Sequence, residues 1–224
     1  MTAEIISYSV CGAMLLYDLL HIPAVEVGNI LGDYLRKFRL ENLENINQQH
    51  QEQMKARGLR HEDARYIEPK FGLPLLDAAS LDTDEILQKV WSVLLTNAAD
   101  FNFKSEIKTA FIDVIKTLTP VEVKILEYCN ALMSQVKDDE MTEFIFYLDR
   151  EKIIKAMNIS AISFEAAIQN LERCRILTET MDRWFDVSEN GKDPLMRKCL
   201  TSFGILFIRA CISDFSFGDV EIVS

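Results

Sequence analysis

Three histidines, five cysteines and a surplus of carboxylates are what this chain offers for chemistry. Their spacing limits what they can do. His61, Glu62 and Asp63 stand in a row as a potential metal-binding run. A protein metal site needs donors converging from several directions, and no second His or Cys lies at ligand spacing, so the row reads as solvated charge. His21 and His50 are isolated. Asp82, Asp84 and Glu85 crowd together in a way that would suit acid chemistry or a cation. They also precede a strongly periodic apolar run, where the positive end of a helix dipole attracts acids, and that account suffices. Ser80 and Ser92 lack a neighbouring base, no G-x-S-x-G turn occurs, and the glycines form no phosphate-cradling loop. The chain is expected to be non-catalytic, with no metal and no cofactor.

Cys11, Cys129, Cys174, Cys199 and Cys211 are odd in number, widely spaced and without a C-x-x-C pair, the pattern of buried free thiols in a reducing compartment. Thirteen uncharged residues precede Asp18, fewer than the roughly 20 that span a bilayer, and they lack the basic flank of a secretory signal. A cytoplasmic location is the expectation. A net charge of −11 sets the molecule as a whole against nucleic acid and anionic lipid. Expected partners are therefore proteins or a second copy, with nucleic acid and membranes disfavoured.

The elements that would carry these residues are mostly helices. Eight glycines and five prolines in 224 residues leave little room for long irregular loops. After an apolar stretch near residues 3–20, a long helix is predicted from Ala24 to about Arg57, with Gly58 as its C-cap. Its first part carries Val25, Val27, Ile30, Leu31, Leu35 and Phe38. From Glu41 the apolar positions thin to Leu43, Ile46 and Met54 amid Asn, Gln and Glu, so this end is expected to be solvated or lightly packed against another subunit. Ala24, Gly28 and Gly32 fall four apart, a smooth strip for close helix packing. In lipid that spacing would serve membrane helices, but Glu26, Asn29, Asp33, Arg36 and Lys37 are costly in hydrocarbon.

Residues 73–100 read LPLLDAASLDTDEILQKVWSVLLTNAAD. Asp82 with Glu85 fits an N-cap and its reciprocal carboxylate, and Ile86, Leu87, Val90, Trp91, Leu94, Leu95 and Ala98 follow at helical spacing. The wording of this stretch, with LLDAAS, DTDE, a Trp and LLTNAAD, resembles the abortive infection alpha family of bacterial phage-defence proteins. LTPVEVKILEYC at residues 118–129 and LTSFGILFIRAC at residues 200–211 extend the resemblance, and a weaker match runs over residues 17–42. Asp82, Glu85, Trp91, Leu94, Leu95 and Asn97 form its central signature. The resemblance implies a role in abortive infection, in which an infected cell stops supporting phage growth.

From residue 117 the pattern changes, dividing the chain into an elongated N-terminal helical region, 1–116, and a C-terminal region, 117–224. Thr119 and Pro120 open a helix, residues 144–148 read as a strand, and Asp149 caps a helix that Asn158 ends. A third helix starts near Ser163. Residues 175–180 read as a strand whose partner returns at 184–187, and Asn190 and Gly191 make the loop that follows. This order resembles a winged helix, with a plain helical bundle plus hairpin as the other reading. Winged helices commonly place Gly where Arg175 stands. The third helix would offer Gln169, Asn170 and Arg173 to nucleic acid, but residues 117–224 hold 12 Lys and Arg against 18 Asp and Glu, a net of −6. The expectation is therefore an interaction protein, with a winged-helix transcriptional regulator as the alternative and a hydrolase whose site forms only on folding as a third.

Overall fold

The computed structural model describes residues 24–60, 64–136, 143–148, 150–179 and 196–212. Among them the chain forms eight helices and one three-stranded antiparallel sheet, so the mainly helical expectation holds. The first half runs α1 (Ala24–Ala56), α2 (Pro69–Ala79), α3 (Glu85–Ala99) and the short α4 (Ala110–Ile115). The second runs α5 (Pro120–Met133), β1 (Phe144–Leu148), α6 (Arg150–Met157), α7 (Ala161–Arg173), β2 (Leu177–Glu179), β3 (Met196–Leu200) and α8 (Ser202–Cys211).

Three helices end in the same way, and the sequence supplies each with a different residue. α1 closes on Gly58 at φ 69°, with the Gly58 N–H donating to Lys55 O and that of Leu59 to Met54 O. This is a Schellman end, which needs one residue in the left-handed region. Asn158 (φ 52°) does the same for α6, bonding to Lys155 O while Ile159 bonds to Ile154 O. At the end of α7 the residue is Arg175 (φ 58°), with bonds from Arg175 N to Glu172 O and from Ile176 N to Leu171 O. Arg175 therefore holds the left-handed conformation that a glycine would adopt without strain.

The helix starts refine the predicted caps. Glu122 takes the Thr119 N–H at 2.9 Å and also its hydroxyl, fixing the start of α5. α7 begins at Ala161, two residues before the predicted Ser163, because Ser160 Oγ accepts from Ser163 N at 3.0 Å. The cap of α3 is a correction. Asp84, not Asp82, accepts from Ile86 N at 2.9 Å and Leu87 N at 3.3 Å, which leaves Glu85 as the first helical residue with no reciprocal bond to make.

The sheet order is β1-β3-β2. β1 is where the sequence placed it, and β2 lies inside the predicted strand at 175–180. The central strand, β3, was not foreseen. Phe146 and Lys198 face each other across β1 and β3, and both are buried. Lys198 reaches Glu172 of α7 at 2.5 Å, so a charged side chain sits where the alternation would call for an apolar one. The apolar stretch at 3–20, the caps and loops at Asp149, Asn190 and Gly191, the return strand at 184–187 and the His61 to Asp63 row lie outside the described residues.

α8 starts with Thr201, whose hydroxyl donates to Arg175 O at 2.6 Å and accepts from Gly204 N at 2.9 Å. Its first turn is pressed against the end of α7, where a Cβ on Gly204 would lie 2.3 Å from Ile176 O. From there α8 buries Phe207 and Ile208, and Phe111 of α4 meets Phe207 edge-on at 5.4 Å. One buried cluster contains Leu75, Trp91, Leu94, Phe111, Leu126, Phe164 and Phe207, drawn from both halves of the sequence.

Candidate interaction surface

α1 and α3 lie side by side and run in the same direction, joined by a seam of polar pairs. Asn42 meets Gln88 at 3.3 Å, Gln53 meets Ser92 at 2.8 Å, His50 meets Thr96 at 2.8 Å, and Arg57 meets Asn97 at 2.8 Å. The Thr96 hydroxyl donates to Ser92 O at 2.7 Å, so His50 Nδ1 is the donor to it. Arg57 also pairs with the buried Asp100 at 3.1 Å. Between the polar contacts, Ile46 and Met54 are buried. The expectation of a solvated far end to α1 is thus corrected along one face. Asn42, Gln49, His50 and Gln53 find partners on α3, whereas Asn45, Asn47, Gln48 and Gln51 on the other side are exposed.

The signature residues lie in and beside this seam. Trp91 is fully buried and donates its Nε1–H to Asp82 Oδ2 at 2.9 Å. Asp82 O takes the Gln88 amide at 2.9 Å, so Asp82 ties the α2–α3 joint to the helix flank rather than capping it. Burial pushes the Asp82 carboxyl above its usual range, opposed by the Trp91 hydrogen bond. Leu94 is fully buried and Leu95 packs at the edge of the core, while Glu85 is exposed. Asn97 of α3 ties in two further elements: its Oδ1 accepts from Arg57, the residue that follows α1, and its Nδ2 donates to Ala210 O of α8 at 2.8 Å. The last carbonyls of a helix have no partner within it, and Asn97 supplies one for α8.

Beyond the seam, α1 changes. Arg39 reaches back to α2, donating to Ser80 Oγ at 2.7 Å and pairing with Asp77. Before it, Tyr34 is 65% exposed and Leu35 51%, and Phe38 is half-buried with its ring 6.4 Å from that of Tyr34. Leu35 and Phe38 precede Arg39 and Asn42 by one turn, so they continue the stripe that faces α3. A Cβ built on Gly32 meets nothing within 4 Å among the described residues. The close packing predicted for Gly32 is thus not made by the described part of the chain. Ala24 and Gly28 lie in the first turns of α1.

The third helix of the C-terminal half, α7, is differently committed. Asn170 Nδ2 donates to Thr117 O at 2.9 Å and Glu122 Oε1 at 3.0 Å, and its Oδ1 accepts from Arg173 at 2.8 Å. Glu165 pairs with Arg150 at 2.8 Å. Of the predicted nucleic-acid contacts, Gln169 is exposed, whereas Asn170 and Arg173 are held by neighbours. A shallow cleft between α3, α5 and the end of α8, lined in part by Lys89 and Glu127, has a volume of about 10 Å³, room for about one water. That is far below the roughly 300 Å³ at which small-molecule sites begin. Burial pushes the Lys89 amine down and the Glu127 carboxyl up, and each charge opposes the other's shift. Cys129, Cys199 and Cys211 are buried free thiols and Cys174 is half-buried. Among the described residues no three His, Cys, Asp or Glu side chains gather to hold a metal, and no helix is long and apolar enough to cross a membrane.

A sequence model of the abortive infection alpha family matches residues 41–211. The chain belongs to the abortive infection alpha family. Membership implies a part in phage defence of the abortive-infection type. The match starts at Glu41, one residue before Asn42, the first buried α1 residue among those described. The family's shared portion therefore contains the seam and the sheet, and the exposed run of α1 precedes it. The resemblance over residues 17–42 falls almost wholly outside the match. No curated protein and no solved structure matches the chain.

Proposed function

We propose that this abortive infection alpha protein acts in phage defence without catalysing a reaction, through protein–protein contacts made by the exposed run of α1. The observation that carries this reading is the change along one stripe. It is polar and bonded where α3 covers it, and open at Gly32 and Leu35, with Tyr34 exposed on the flank beside them, where nothing described covers it. Exposed apolar residues on one face of a helix are a common mark of a binding surface. Plaque counts test it on cells making the wild-type chain or a Tyr34→Asp/Leu35→Asp variant. The wild type is expected to restrict phage, and the variant to be folded by circular dichroism yet unprotective. Full protection by the variant would overturn the reading.

A second reading, a winged-helix transcriptional regulator, draws on the order α5, β1, α6, α7, β2, β3 and the β1-β3-β2 sheet. The side chains on α7 weigh against it, because Asn170 and Arg173 serve internal bonds and residues 117–224 carry surplus negative charge. In our reading this unit is a scaffold for α8 and the seam. Selection from a random DNA pool tests the regulator directly. Enrichment of a defined sequence that resists 200 mM salt would establish it.

A further inference from the structure

Resting on the protein-contact reading, we infer that the contact site is a corner between α1 and α2, and that its occupant is a helix of another protein with carboxylates beside its apolar residues. The two helices are tied together at one place. Arg39 donates to Ser80 Oγ at 2.7 Å and pairs with Asp77, and Asn42 donates to Ser80 O at 2.9 Å. Residues three, four and seven positions apart share one face of a helix. The face of α1 that ends on Arg39 therefore carries Gly32, Leu35 and Arg36, and the face of α2 that ends on Asp77 carries Lys70, Leu73 and Pro74. All six are exposed, Leu35 at 51% and Leu73 at 67%. The two faces thus meet in the Arg39–Asp77 pair and part ahead of it, leaving two walls with nothing described between them.

Size and charge define what fits. Seven residues of helix rise about 10 Å, so each wall is as long as one helix is wide. A single helix fills such a corner by laying an apolar stripe against Leu35, Leu73 and Pro74. Gly32, where a Cβ would meet nothing within 4 Å, lets it come close to the α1 backbone. Ahead of the Arg39–Asp77 pair the walls hold two bases, Arg36 and Lys70, and no acid. Asp77 is committed to Arg39, and Asp33, 3.5 Å from Arg36, makes only an exposed and weak pair with it. In a molecule of net charge −11, a corner with two bases and no acid selects the entering helix by its carboxylates.

Peptides of about 15 residues, long enough to form a helix, selected from a random library on the whole wild-type chain, test this. They are expected to carry Leu, Ile or Phe at helical spacing with Asp or Glu between. Leu35→Glu and Leu73→Glu should each weaken their binding about tenfold or more with unchanged circular dichroism melts, and Lys55→Glu, at the far end of α1, should leave binding as it is. If Leu73→Glu melts lower, Lys70→Glu reads the same wall. Selection on Arg36→Glu/Lys70→Glu should yield basic peptides instead. An empty selection, peptides without acids, or peptides that the Leu73 or Lys70 variant binds as tightly would overturn the inference. So would Leu35→Cys linking on mild oxidation to a second copy, or to Cys11 of its own chain, faster than Lys55→Cys links, since another occupant then fills the corner. Plaque counts separate the corner from the reading it rests on. Loss of protection with both Leu35→Glu and Leu73→Glu supports the corner. Loss with Leu35→Glu alone keeps a protein partner on α1 and sinks only the corner. If neither variant loses protection, the protein-contact reading itself fails.

Discussion

Gly204 and Gly32 both sit in helices, and they mark opposite kinds of place. At Gly204 the first turn of α8 is clamped by Thr201 against the end of α7, and a single added carbon would strike Ile176 O. At Gly32 the same carbon would meet open space among the described residues. The first glycine is demanded by the fold of one chain. The second has no such cause within the described part, so its cause must be sought in what α1 meets. The α7–α8 joint and the exposed run of α1 thus separate residues that build the molecule from residues available to a partner.

The strongest way to break this contrast is Gly204→Ala. It should lower unfolding free energy by at least about 3 kcal/mol, since the atom in the way is backbone. A loss below about 1 kcal/mol in urea titration would show that the joint is loose. Next, the covered and open parts of α1 are set against each other by Ile46→Ala and Leu35→Ala. Ile46 is 1% exposed and should cost about 2–5 kcal/mol, whereas Leu35 should stay within about 0.5 kcal/mol at dilute, monomeric concentration. Comparable losses would mean that the open stripe is covered after all.

Smaller effects sharpen the same line. Arg175→Gly relieves a left-handed arginine and should stabilise by about 1 kcal/mol, whereas Gly32→Ala should gain a similar amount in the monomer through helix propensity. Thermal melts at low concentration check both. The smallest expected effect is at Asp82→Asn, where Asn keeps an acceptor for Trp91. The Asp82 carboxyl is raised in the fold by burial, so the folded state binds its proton more readily than the unfolded state does. Wild-type stability at this site is therefore greatest at low pH and falls as pH rises from the ordinary carboxylate range through the raised value. The variant should match the wild type in acid and exceed it at neutral pH. An equal difference at all pH values would show that burial does not disfavour the Asp82 charge.

Much of the architecture was legible from single residues. Gly58 and Asn158 ended helices as predicted, Thr119 and Pro120 began one, and the apolar stripe of α3 went to the core. The misreadings share a cause. Asp82, Asp84 and Glu85 each satisfy the local pattern of a helix start, and the choice among them was made by Trp91, far enough along α3 that no local rule includes it. Asn42, Gln49, His50 and Gln53 of α1 looked like solvent-facing residues because their partners on α3 are about forty positions away in sequence. β3 was hidden by Lys198, whose burial depends on Glu172. Of the candidate surface, Gly32 and Leu35 were noted for packing. That they remain open follows only from where α2 and α3 stop.

The clip at Asn97 bears on how this protein is made. Its amide must reach Ala210, more than a hundred residues downstream, while its carbonyl oxygen holds Arg57 from well upstream. A chain still emerging from the ribosome has no α8 to meet, so the three-way junction stays unfinished until synthesis has passed residue 210. Until then the buried part of α1 lacks its final lock, and its lining stays within reach of chaperones.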